Sequence, residues 1–161
     1  MSRDDLRIGR FSAPGRLYHI TVTTEGRQSL FADLACARLV IGEMRRLQDQ
    51  RLLESLAWVL MPDHLHWLIR LQGPLSLSQV IKLLKGRSSK RLGERLGTGR
   101  RVWQRGFHDR ALRREEDLQQ VARYIVANPL RAGLARSVRL YSHWDAVWVW
   151  GPWQPGGLLG D

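Results

Sequence analysis

Residues 61–71 alternate between apolar and other side chains, and this alternation predicts a β-strand with one buried face. The opposite face carries His64 and His66, which are two residues apart and therefore point the same way in an extended chain. Two adjacent imidazoles on a strand are typical ligands of a divalent metal ion. The apolar positions of the run are Leu65, Trp67, Ile69 and Leu71.

The remaining chain alternates between strand-like and helix-like patterns. Asp33 is a candidate N-cap for the first helix, and Pro129 ends the last one. Gly86 lies inside a helical pattern and allows a break there. Strands are predicted at 17–24, 56–61, within 61–71 and at 107–112, and helices at 33–50, 76–96 and 115–128.

The order β-α-β-β-α-β-α predicts an α+β fold with a ferredoxin-like antiparallel sheet and helices mainly on one face. The length of 161 residues favours a single domain. Within it we expect an N-terminal arm at 1–16, a core at 17–140 and a Trp/Gly/Pro-rich tail at 141–161. The pair of strands around Pro62 is either a tight hairpin or a bent continuation.

The charge balance of the chain indicates what kind of molecule it binds. The chain has 26 Lys and Arg residues against 15 Asp and Glu, a net charge of +11. Such an excess favours a polyanionic partner, because neutralised phosphates release counterions. Nucleic acid is favoured over an acidic membrane surface, since no basic amphipathic helix with an aromatic face stands out.

The cysteine count and the hydropathy pattern indicate the cellular compartment in which the protein works. Cys36 is the only cysteine, which excludes an intrachain disulfide and a cysteine metal cluster. We expect it to be a small buried residue. No signal peptide and no run of ~18 apolar residues is present. The expected location is the cytoplasm, associated with the nucleoid.

The last predicted helix offers a chemical partner for the histidine pair. Tyr124 and Asn128 are four residues apart on one flank, beside a buried stripe of Leu118, Val121, Ala122 and Ile125. A metal held by His64 and His66, with Asn128 as an oxygen ligand, would polarise a phosphodiester for attack by Tyr124. Other interpretations of these residues remain open. A His-x-His sequence also occurs by chance, and a tyrosine on a helix often serves only for packing. His19 is either a third metal ligand or a hydrogen-bonded residue of its strand.

Five blocks in order resemble the single-tyrosine HUH transposases of the IS200-like type, and in particular the REP-associated tyrosine transposases. The resemblance covers roughly residues 17–148. One departure is Asp63, where relatives more often have Asn. The matching blocks are 18–21 (YHIT), 61–66 (MPDHLH), the basic helix 82–95, 103–110 (WQRGFHDR) and 124–134 (YIVANPLRAGL).

The resemblance implies an HUH endonuclease that uses Mg²⁺ or Mn²⁺ to cleave single-stranded DNA. His64 and His66 match the HUH histidines, Tyr124 the nucleophile and Asn128 an additional metal ligand. The nucleophile would form a 5′-phosphotyrosine, and the substrate of the REP-associated branch is a short hairpin with a flanking tetranucleotide. A monomer and a homodimer are both compatible with the family.

Basic residues in two clusters are candidates for the DNA contacts. Two other functions stay open: a repeat- or hairpin-binding protein that keeps the fold without cleavage, and a metallohydrolase of another class that recruits His19, His108 or Asp63. The Trp-rich tail either stacks on bases or covers apolar surface. The candidate DNA-binding residues are Lys82, Lys85, Lys90, Arg91, Arg105 and Arg110.

Overall fold

In the part of the chain that the structure describes, five strands form an antiparallel sheet in the order β4-β1-β3-β2-β5. The computed structural model describes residues 15–113 and 117–147. The predicted arm up to residue 14 and the tail from Trp148 onward lie outside the described residues. The strands are β1 (Leu17–Thr23), β2 (Leu53–Leu60), β3 (His64–Leu71), β4 (His108–Leu112) and β5 (Trp144–Ala146).

Within the described residues, three longer helices and one short helix accompany the sheet. They are α1 (Leu34–Asp49), α2 (Leu77–Leu96), α3 (Asp117–Val126) and α4 (Asn128–Arg131), with 3-10 turns at Glu25–Arg27, Leu30–Ala32 and Val138–Leu140. Asp33 caps α1, as predicted, by accepting hydrogen bonds from the amides of Ala35 and Cys36. Ser76 and Gln79 form a capping box at α2, which continues through Gly86 without a break. No described helix is long and apolar enough to cross a membrane.

The two faces of the sheet bury two separate apolar clusters. Trp67 and Ile69 of β3 pack with α1 and α2 on one face. Leu68 packs with Val121 and Ile125 of α3 on the other face. His64 and His66 alternate with Leu65 and Trp67, so they lie on the α3 face.

The predicted ferredoxin-like α+β fold is confirmed by the strand order and by α1 and α2 sharing one face. β2 and β3 form an antiparallel hairpin, which decides between the two interpretations of the Pro62 region. Cys36 is buried, as predicted. The predicted stripe of α3 is also buried: Leu118, Val121, Ala122 and Ile125.

Two boundaries differ from the predictions for local reasons. β2 begins at Leu53 rather than at residue 56, and its register with β3 shifts between Ser55 and Ala57. This irregularity interrupts the two-residue alternation that identifies a strand in sequence. The last predicted helix ends at Val126, and Asn128 begins α4. Pro129 lacks the amide that would bond the carbonyl of Ile125, which explains the interruption.

The first residues of the predicted tail add to the sheet. β5 pairs with β2, with Trp144 opposite Val59 and Ala146 opposite Ala57. The indole of Trp144 donates a hydrogen bond to the carbonyl of Val138 at 2.8 Å. Residues 144–146 therefore form an edge strand that the sequence patterns did not predict.

Candidate active site and nucleic-acid interface

His64 and His66 lie side by side at the start of β3. Their ring centroids are 4.9 Å apart and their planes are nearly perpendicular. Both side chains are partly buried, on the face that α3 partly covers. The predicted juxtaposition of the two imidazoles is therefore present.

Asp63 determines which ring nitrogen of His64 is available to a ligand. Nδ1 of His64 donates to Oδ1 of Asp63 at 2.7 Å, and Oδ2 of the same carboxylate pairs with Arg27 at 3.2 Å. Burial acts to raise the pKa of Asp63, but the hydrogen bond and charge of His64, together with Arg27, hold that pKa below its ordinary value. In the neutral form of His64, an ionised Asp63 fixes the proton on Nδ1 and leaves the Nε2 lone pair for a ligand.

His66 is oriented by neutral partners on β1. Its Nδ1 lies 3.0 Å from Nε2 of His19 and 3.1 Å from Oγ1 of Thr21, which is the residue opposite it in the register. Burial, followed by repulsion from the charges that His64 and His19 would carry when protonated and from Arg131, lowers the pKa of His66 to about 3. Burial and the charge of Arg110 lower the pKa of His19 to about 4. Both imidazoles are therefore neutral near pH 7.

These hydrogen bonds bear on metal binding. Neutral imidazoles with Nδ1 engaged present Nε2, the usual arrangement for a metal-binding histidine. His19 contacts His66 through its own Nε2, so this nitrogen orients His66 instead of standing free as a third ligand. Among the described residues, no group of three His, Cys, Asp or Glu side chains is arranged to hold a metal ion. A third protein ligand from this part of the chain would therefore be of another type, such as the amide oxygen of Asn128.

Tyr124 is carried by α3, which packs on the histidine face. Its side chain is 55% exposed, whereas Val121 and Ile125 on the same helix are buried. Arg131 stacks on the Tyr124 ring with 3.9 Å between its guanidinium carbon and the ring centroid. The same cation contributes to the lowered pKa of His66, so Arg131 acts on both candidate components of the site.

Asn128 occupies the first position of α4 and is partly buried. It lies four residues after Tyr124, and a near-continuous helical path joins them, because the amide of Ala127 bonds the carbonyl of Arg123 at 3.0 Å. Asn128 therefore lies at the start of α4, about one helical turn beyond Tyr124.

A basic groove of about 1150 Å³ lies between α2 and the segment 98–107. None of its described lining residues is acidic. Because α2 packs on the Trp67 face, the groove and the histidine pair lie on opposite faces of the sheet. The cations that line it are Lys82, Lys85, Lys90, Arg100, Arg101 and Arg105.

Two of the predicted DNA-binding residues have side-chain partners in the protein, and a third lies opposite His19 in the sheet. Lys85 donates hydrogen bonds to the carbonyls of Gln104 and Gly106 and so ties the groove wall to α2. Arg91 pairs at 2.7 Å with Glu43, whose side chain is only 2% exposed. Arg110 is paired with His19 in the register of β4 and β1, on the histidine face. The structure thus places the predicted cations in different environments: groove, helix interface and sheet edge.

Several residues near the site were not singled out by sequence patterns. Thr21 lies two residues from His19 on the same strand face, but its place opposite His66 depends on a register that only the fold supplies. Arg27 is distant in sequence from Asp63. Arg131 could have been found, since it follows Tyr124 by seven residues, or two helical turns.

Comparisons with known proteins agree with this architecture. The family model described as "Transposase IS200 like" matches residues 14–128. The chain therefore belongs to the IS200-like transposase family. No match was found among curated proteins.

Two solved structures share the fold. A REP-associated tyrosine transposase, determined bound to a REP hairpin, aligns over 84% of this chain and 79% of its own, with 22% identity and a TM-score of 0.71. A putative transposase from Deinococcus radiodurans R1 aligns over 73% of this chain and 93% of its own, with 24% identity and a TM-score of 0.53.

Proposed function

We propose that this protein is a metal-dependent endonuclease and strand transferase for single-stranded DNA. It cleaves next to a hairpin, as in REP-type repeats, and forms a 5′-phosphotyrosine on Tyr124. Membership of the IS200-like transposase family supports DNA cleavage and joining as the reaction class. The observation that carries the proposal is the histidine pair with both Nδ1 atoms engaged, on the face where α3 carries Tyr124.

We propose Mg²⁺ or Mn²⁺ as the cation, because the three protein donors leave positions for water and phosphate oxygens, which these ions prefer. His64 and His66 would bind through Nε2, and Asn128 would add an amide oxygen from the start of α4. When bound, the cation would polarise the phosphodiester and stabilise negative charge on its oxygens.

In the cleavage step, the Tyr124 oxygen loses its proton and attacks the phosphorus atom. The bond from phosphorus to the 3′ oxygen breaks, and that oxygen takes up a proton and leaves as a 3′-hydroxyl. Joining is the reverse: a 3′-hydroxyl attacks the phosphotyrosine and releases the phenol. Since the ester bond energy is kept in the intermediate, joining needs no nucleotide cofactor.

The basic groove is the proposed binding surface for the hairpin stem. Lys82, Lys90 and Arg105 line a wall without carboxylates, which suits a phosphate backbone. The segment 98–107 leads directly into the edge strand β4, where Arg110 lies on the histidine face. A strand that leaves the groove around this edge would reach the histidines without crossing the sheet.

The experiment mixes the protein with a labelled single-stranded oligonucleotide containing a hairpin and its flank, with Mn²⁺ or EDTA. We expect a labelled adduct that survives denaturing electrophoresis with Mn²⁺ and is absent with EDTA. Tyr124→Phe should abolish the adduct. Tyr141→Phe is the matched control, since the Tyr141 hydroxyl donates to the carbonyl of Leu60. An adduct formed equally by Tyr124→Phe would contradict the nucleophile assignment.

A non-catalytic hairpin-binding protein is the second candidate. The separation of the groove from the histidine face favours it, because binding needs none of the four proposed site residues. Tight hairpin binding that survives His64→Ala, together with no cleavage by the wild type on any hairpin tested, would support this alternative and contradict the first.

A further inference from the structure

The side chain of Arg131 makes two contacts with one residue, Tyr124. Its guanidinium stacks on the ring at 3.9 Å, and its Nη2 donates a hydrogen bond to the main-chain carbonyl of Tyr124 at 2.6 Å. The second contact anchors the guanidinium to the backbone of the residue whose ring it covers. Arg131 is therefore bound to both the ring and the main chain of Tyr124.

The helical path makes this pairing possible. The amide of Arg131 bonds the carbonyl of Ala127, and the amide of Ala127 bonds the carbonyl of Arg123. These bonds preserve a helical course of the backbone between α3 and α4, although the regular helix is interrupted before Pro129. Residues seven apart then lie on the same side, two turns from each other.

The stacking contact with Arg131 limits the orientations that the Tyr124 ring can adopt. More than half of the residue is exposed, so packing against the apolar core restricts its staggered χ1 rotamers less than it would for a buried ring. A cation over the ring face favours the rotamer that places the ring beneath it. Reaction rates are sensitive to such placement, because misplacing a reacting group by about 1 Å costs on the order of 100-fold.

We propose that Arg131 is a positioning residue for Tyr124: it holds the phenol ring in one orientation over the histidine face, ready for in-line attack on a phosphodiester. This inference rests on the proposed function of Tyr124 as nucleophile. Arg131 acts through the tyrosine and is assigned no contact with the substrate.

The structural arm of the test uses 19F NMR of protein labelled with 3-fluorotyrosine. The chain has three tyrosines, and the Tyr124 signal is assigned by its loss in Tyr124→Phe. In Arg131→Ala we expect this signal to move toward the value of a solvent-exposed tyrosine and to narrow. Arg131→Lys, which keeps the charge but loses the planar stack, should give a smaller shift. Arg123→Ala is the control, since it removes the same charge from the residue beside Tyr124.

The kinetic arm measures cleavage of the hairpin oligonucleotide. Arg131→Ala should lower kcat on the order of tenfold while KM for DNA changes less than about twofold, and Arg131→Lys should recover part of the loss. A raised KM with unchanged kcat would overturn the proposal and identify Arg131 as a phosphate contact. An unmoved 19F signal in Arg131→Ala would also overturn it. A wild type that cleaves no DNA contradicts the proposed function instead, because the NMR arm needs no reaction.

Discussion

Asp63 accepts a hydrogen bond from Nδ1 of His64 at 2.7 Å, whereas His66 is bonded, within the described residues, by the uncharged side chains of His19 and Thr21. The two candidate metal ligands are therefore oriented by different means. Asp63 is ionised, and Arg27 partly neutralises its charge at Oδ2, the carboxylate oxygen that does not bond His64. A carboxylate partner raises the basicity of a ligating imidazole. Asp63, where the sequence resemblance leads us to expect Asn, thus makes a direct contact with a candidate metal ligand.

Asp63→Asn should weaken Mn²⁺ binding by about 10- to 100-fold, because the replacement amide is a weaker acceptor for Nδ1 of His64. The measurement is a Mn²⁺ titration followed by EPR, with the circular dichroism spectrum as a check on folding. Asp49→Asn is the control, since it removes the same charge at the exposed end of α1. Equal Mn²⁺ affinity in Asp63→Asn and the wild type would exclude an orienting role for this carboxylate.

Protonation of His19 should make the metal-free protein less stable in acid. Its pKa is lowered from 6.5 to about 4 in the folded state, so the unfolded chain binds the proton first as the pH falls. The contribution of the neutral imidazole is therefore complete above pH 6.5 and is lost as the pH falls toward 4. His66, with a pKa of about 3, adds to the same trend.

The measurement is the thermal midpoint in EDTA between pH 7 and pH 4. We expect it to fall as the pH is lowered, and to fall less steeply in His19→Gln, which lacks one of the imidazoles whose pKa is lowered by folding. If His19→Gln shows the same pH dependence as the wild type, His19 does not couple protonation to folding.

Sequence patterns predicted this fold well because its signals are local. The alternation in 61–71, the N-cap at Asp33 and the stripe on α3 each depend on residues that are close in the chain. The pairing of His66 with Thr21 and the ion pair of Asp63 with Arg27 join distant residues, and the register that unites them is a property of the folded sheet. β5 was missed because three residues with one aromatic side chain are too short for a periodic signal.

Arg91 and Lys90 are neighbours in α2 but should respond differently to replacement. Arg91 neutralises Glu43, which is buried and has an Oε2 atom without a hydrogen-bond partner among the described residues. Arg91→Ala would leave this carboxylate with only the longer 3.7 Å pair to Arg46. We expect a loss of about 1–3 kcal/mol in the free energy of unfolding, less than the about 3–5 kcal/mol that breaking a fully buried pair costs, since Arg91 is half exposed.

Lys90→Ala is the matched variant, because Lys90 is exposed and lines the groove. Its urea denaturation curve should superimpose on that of the wild type, while that of Arg91→Ala shifts to lower urea. Equal stability of the two variants would show that the Glu43 pair does not stabilise the packing of α1 on α2.

The groove cations should contribute to hairpin binding through counterion release. For duplex DNA, the slope of log K against log salt changes by about 0.9 for each phosphate that the protein neutralises. Lys82→Ala and Lys90→Ala should each reduce the magnitude of this slope by about one and weaken binding of different stem sequences to a similar extent. Fluorescence anisotropy with a labelled hairpin over a series of salt concentrations gives both quantities. Arg139→Ala is the control, because the turn at Val138–Leu140 contacts β5, at the sheet edge opposite β4. A salt slope that is unchanged in Lys82→Ala and Lys90→Ala would exclude the groove as the stem-binding surface.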